Sequence, residues 1–145
     1  MADTRQQAEF FAKLGRIDEA MDVLEGGIRG NPRNSPLLYL DLLALLHEAE
    51  RQSEYRQFRE QFVRLFNASI PEFKHFREEG QTLDAYPSLL EHINSLWESP
   101  QVLDVMEACI LRGSDTPVST PFDLAAFREL LTMHGVAGKQ HNVRI

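Results

Sequence analysis

A chain of 145 residues with 43% hydrophobic side chains has the size of one ordinary domain with a sizeable core. Its formal net charge of -7 sets it against a phosphate backbone or an anionic membrane surface, so nucleic acid is not an expected partner. Its one cysteine, Cys109, excludes an internal disulfide, and there is neither a signal peptide nor an apolar run of about 20 residues, so a cytoplasmic protein without membrane insertion is expected.

From Thr4 to Leu14 the apolar residues Ala8, Phe11, Ala12 and Leu14 recur at helical spacing, with Arg5, Gln6, Glu9 and Lys13 on the other side. Gly15 can take the left-handed conformation that ends such a helix. Asp18 is the expected cap of a second helix, whose inner face is Ala20, Met21, Leu24 and Ile28, and Asn31-Pro32 stops it. Gly26 and Gly27 inside that helix each cost about 0.8 to 1 kcal/mol relative to alanine, which a close approach of two backbones would offset. The result is a helical hairpin that cannot bury its face alone and calls for neighbours of its own kind.

Pro36 opens a third helix with Ser35 as its cap, and Leu37 to Leu46 make it apolar on nearly every side, as in a sandwiched helix. Arg51-Gln52 reads as a turn and Ser53 as a cap. Tyr55, Phe58, Phe62, Leu65 and Phe66 then form one stripe, a core rather than a ligand cage. Past Asn67 the pattern changes. Ser69-Ile70-Pro71 opens a short helix through Phe73, Phe76 and Glu79 that ends at Gly80. Pro87 opens another with Leu89, Leu90, Ile93, Leu96 and Trp97 inward. Ser99-Pro100 caps the next, with Val102, Leu103, Met106, Ile110 and Leu111 inward and its end at Gly113. Ser114 to Thr120 is a loop by composition. A last helix runs from Asp123 through Leu124, Phe127, Leu130 and Leu131 to His134, where Gly135 ends it, and Lys139 to Ile145 is a frayed tail. No strand pattern is present, so the fold class is all-α. A single domain is expected over 1–138, with a hairpin at 1–34, a looser one at 35–67 and capping helices at 68–138.

The first hairpin resembles the tetratricopeptide-repeat family through Ala8, Phe11, Gly15, Asp18, Ala20, Leu24, Gly27 and Pro32, the small and turn residues of a 34-residue unit. The family's opening aromatic is replaced by Thr4. In the second hairpin Tyr55 and Phe58 stand where smaller residues are usual, and the turn is one residue longer. The resemblance implies a right-handed stack of helix-turn-helix repeats. Over the whole chain the order of features is similar to a cytoplasmic module of bacterial FimV-like proteins of type IV pilus assembly and motility. Leu14-Gly15-Arg16, Asn67-Ala68-Ser69-Ile70-Pro71, Leu83-Asp84-Ala85-Tyr86-Pro87, Leu96-Trp97 and Phe122-Asp123-Leu124 carry that likeness. It implies a non-catalytic scaffold in pilus assembly, motility or cell-pole organisation.

In a tetratricopeptide stack the first helix of each hairpin lines the concave groove. The resemblance therefore selects Arg5, Glu9, Ala12 and Lys13, with Tyr39, Leu43, Leu46 and His47, as contacts for a protein or peptide partner. The competing reading makes Leu43 and Leu46 plain core. Nothing before Thr4 covers the first hairpin, so a homodimer through the N-terminal stacking face is the alternative, and a small enzyme is the third. Chemistry is sparse. Glu72-x-x-His75 has the spacing of a di-iron helix but no second copy, so no metal or other cofactor is expected. Cys109 sits on the apolar side of its helix and reads as an inert thiol rather than a nucleophile beside His92 or His134. No phosphate loop, Cys-x-x-Cys pair or nucleophile elbow is found, and Asn67-Ala68-Ser69 is a chance glycosylation match. His47, beside Glu48 and Glu50, has a solvated helix end as its simplest reading.

Overall fold

The computed structural model describes residues 3–112 and 121–141, with Asn34 described by its backbone alone. The described residues hold seven α-helices, three 3-10 turns and isolated β-bridges, so the protein is all-α. The chain forms two compact units, Met1–Leu65 and Phe66–Ile145.

The first unit holds α1 (Thr4–Lys13), α2 (Ile17–Gly30), α3 (Pro36–Glu48) and α4 (Gln52–Leu65). Each helix packs on the next, and α1 also meets α3. Asp3 starts α1 with a capping box: its carboxylate accepts from the Gln6 N–H at 2.8 Å, and the Gln6 side chain accepts from the Asp3 N–H at 3.4 Å. Gly15 ends α1 at φ +78°, where the N–H groups of Gly15 and Arg16 reach back to the carbonyls of Ala12 and Phe11 at 3.0 and 2.9 Å. That pairing is a Schellman motif. The turn after α3 repeats it, with Glu50 at φ 58° and the N–H groups of Glu50 and Arg51 on the carbonyls of His47 and Leu46 at 3.1 and 2.9 Å.

Several expectations for this unit are corrected. Asp18 does not cap α2, which starts a residue earlier behind Arg16; its carboxylate pairs instead with Arg51 from the next turn. Ser35 precedes α3, but its hydroxyl donates to the Asn31 carbonyl at 2.6 Å rather than capping. The turn between α3 and α4 lies at Ala49–Arg51, so Ser53 falls inside α4. Leu14 is also 56% exposed where the periodicity turned it inward. Of the adjacent glycines 26 and 27 in α2, only Gly27 sits at a close approach. A Cβ there would lie 2.7 Å from Leu38 Cδ1 and 2.9 Å from Thr4 Cγ2, so side chains of the flanking helices, not a second backbone, take the space.

The second unit holds α5 (Pro87–Ser95), α6 (Gln101–Ile110) and α7 (Leu124–Gln140). Prolines at the start of α5 and just before α6 sit where a missing N–H costs nothing, and the Ser99 hydroxyl accepts from the Gln101 N–H at 3.2 Å. The short helix expected over 69–80 is absent; Phe73–His75 makes a single 3-10 turn. The end of this segment is tied to α7, whose N–H groups at Ala125 and Ala126 donate to the carbonyls of Glu79 and Gln81 at 3.0 Å each. Those carbonyls satisfy orphan donors at the start of α7. Gly135 does not end α7, which continues to Gln140 and takes in Lys139 from the expected tail; His141 then places Nε2 2.8 Å from the Trp97 carbonyl. Phe66 pairs with Leu111 and Ala68 with Phe122 in two bridges on either side of Asn67. Gly113, the loop Ser114 to Thr120 and the tail from 142 onward lie outside the described residues.

Candidate functional site

An open groove with convergent polar groups lies in the first unit, between α1 and α3. Residues 5, 8, 9 and 12 follow the three-to-four spacing of one helical face, as do 41, 44 and 45 on α3. Ala8, Ala12 and Ala44 keep both walls low, Leu24 of α2 reaches the floor, and the space is ≈ 450 Å³. Arg5 crosses it. Its guanidinium grips Asp41 through Nε at 2.6 Å and Nη2 at 3.1 Å, a forked pair that raises the Arg5 pKa further despite partial desolvation.

The residues selected from the sequence divide here. Arg5, Glu9 and Ala12 line the groove. Lys13 stands one turn from Glu9 and meets it at 3.1 Å, with both side chains mostly in water. Tyr39, Leu43 and Leu46 do not line it: all three are buried, and their reading as partner contacts is corrected to core. Tyr39 packs edge-on against Phe58 and Phe62, its hydroxyl is 3.4 Å from Gln61 Oε1, and burial pushes its phenol pKa up. The apolar stripe of α3 is wide enough to look like a groove wall from sequence, but its inner half is core. His47 is half-buried with its ring edge-on to Tyr55, so it is a packing residue rather than a solvated end. The pattern missed Asp41, Ala44 and Leu45. Asp41 was legible as the lone charge in a ten-residue apolar run, a position that demands a partner such as Arg5.

A second hollow of ≈ 390 Å³ in the other unit is bordered by Arg128 and Glu129. Both are engaged structurally, Arg128 with Glu79 at 2.8 Å and Glu129 with the Leu83 N–H at 2.7 Å. His75 of the Glu72-x-x-His75 pair contacts Glu78, and no group of three His, Cys, Asp or Glu suited to a metal occurs among the described residues. Cys109 is fully buried and its thiol is pushed up to about 11, which keeps it protonated at neutral pH. No described helix is long and apolar enough to cross a membrane.

No family model matches this chain, and neither a curated protein nor a solved structure is significantly similar to it. What the fold defines is an all-α protein that begins with two helical hairpins.

Proposed function

We propose that this protein is a non-catalytic protein–protein interaction or scaffold module that receives a partner segment in the α1–α3 groove. The groove carries the reading: it is the place where the first helices of two successive hairpins leave a hollow with small apolar walls and a charged rim. The two matching Schellman turns, at positions 15 and 50, support a repeat of 35 residues against the tetratricopeptide period of 34. The stack is then right-handed, as in that family. The likeness to FimV-like modules supplies the setting, a bacterial cytoplasm and the assembly of pili, motility or the cell pole. The test is capture of partners on the immobilised full chain, with Ala12→Trp, which fills the groove, as control. Components retained by the native chain and lost by the variant support the reading; an identical set on both removes it.

A homodimer is the second reading, favoured by Phe10 on α1 and Leu14 at its C-cap, one turn apart and 60% and 56% exposed. It predicts a molecular mass that rises with concentration and returns to one chain in Phe10→Ser with Leu14→Ser. A mass independent of concentration excludes it.

A further inference from the structure

The rim of the α1–α3 groove has a sign. Three carboxylates, Asp3, Glu9 and Asp41, face one guanidinium, Arg5. Arg5 is committed to Asp41 by its forked pair. Glu9 pairs with Lys13, and their side chains are 69% and 74% exposed, so water screens the pair and a competing cation displaces it at little cost. Below the rim, Ala12 and Ala44 face a space of ≈ 450 Å³, which accepts one or two large apolar side chains but not a folded surface.

We propose that the groove recognises a basic amphipathic segment of a partner protein, with an apolar side chain seated against Ala12 and Ala44 and a lysine or arginine about one turn away on Glu9. This rests on the reading of the first unit as an interaction module and adds the chemistry of its partner. An acidic segment would bring like charges onto Asp3 and Glu9, and a nucleic-acid backbone would do the same, so the rim selects against both.

The test uses the full chain and three fluorescein-labelled peptides of about 12 residues, with leucine at every third or fourth position and lysine, glutamine or glutamate elsewhere. At about 50 mM salt the lysine peptide binds roughly tenfold more tightly than the glutamate peptide, and the gap closes at about 0.5 M. Ala44→Trp fills the groove and weakens the lysine peptide about tenfold, and Glu9→Lys weakens it about fivefold. Both variants are compared at unchanged helicity and melting temperature, and if Ala44→Trp fails to fold, the exposed Glu9→Lys decides alone. Equal affinities for the lysine and glutamine peptides, both lost in Ala44→Trp, overturn the basic preference and leave the groove as a docking site. Binding of the lysine peptide that neither variant alters, or no binding by any of the three, overturns the preference together with the reading beneath it.

Discussion

Glu50 holds a backbone conformation that favours glycine. Its φ of 58° places a Cβ close to the following carbonyl, at a cost of about 1 to 2 kcal/mol, while Gly15 holds the same place in the preceding hairpin without that strain. Glu50→Gly should therefore stabilise the chain by about 0.5 to 1 kcal/mol, after the added freedom of the unfolded glycine is subtracted. A higher urea midpoint with an unchanged slope is the expected result; a lower midpoint would mean that the Glu50 side chain makes a contact worth more than the strain. Cys109 gives a second effect at this scale. Its folded pKa of about 11 lies above the usual 9.0, so between those values the unfolded chain loses the thiol proton while the folded chain keeps it. Stability then falls as pH rises through that window, by roughly 2 to 3 kcal/mol once pH reaches the upper value. Cys109→Ala, although less stable at pH 8, should lose less than the parent by pH 11, and parallel denaturation curves at the two pH values would remove the effect.

At the scale of the helices, α2 carries two adjacent glycines that differ in surroundings. Gly26 is exposed, and a Cβ there would meet only the tip of Arg29 at 4.0 Å, whereas one at Gly27 would press on Leu38 and Thr4 below 3.0 Å. Gly26→Ala should gain about 0.8 to 1 kcal/mol of helix propensity, and Gly27→Ala should forfeit that gain because β-branched Thr4 must shift. Equal melting temperatures for the two variants would count against the close approach of α1 and α3 at Gly27. The positions of the helices themselves were readable from the chain, because apolar residues at three-to-four spacing and prolines at 36, 87 and 100 mark faces and starts. What failed was set by long-range bonding. Phe73 and Phe76 have helical spacing, yet Phe73–His75 makes only a 3-10 turn, and the end of the segment is tied to α7 through the carbonyls of Glu79 and Gln81. Gly135 looks like a stop, yet α7 runs past it with Ala137 buried. Asp18 has the chemistry of a cap, but Arg51, 33 residues away, takes its carboxylate. Half of the groove was legible: the repeat resemblance picked Arg5, Glu9 and Ala12 on α1, whereas α3 is apolar on nearly every side, and periodicity does not separate its groove residues Ala44 and Leu45 from its core residues Leu43 and Leu46.

For the whole molecule, the question is how far each unit stands alone. Residues 1–65 form two hairpins, fewer than the three or so repeats that a helical stack usually needs. A domain of that length buries only about 60% of the surface its unfolded chain exposes and is correspondingly marginal. Against this, the unit has its own internal ties. Arg5–Asp41 joins α1 to α3, Arg51–Asp18 joins the turn after α3 to the start of α2, and Tyr39 packs edge-on against Phe58 and Phe62 of α4. The fragment 1–65 should therefore be helical by circular dichroism, with a melting transition that is cooperative but lower than that of the full chain. Arg51→Ala in the fragment should lower it further, by the roughly 1 kcal/mol or less typical of exposed ion pairs, about 4 to 8 °C or less for a domain of this size. A fragment without helicity would mean that its core is completed only by residues beyond 65, and peptide binding in the groove would then have to be read as a property of the whole chain.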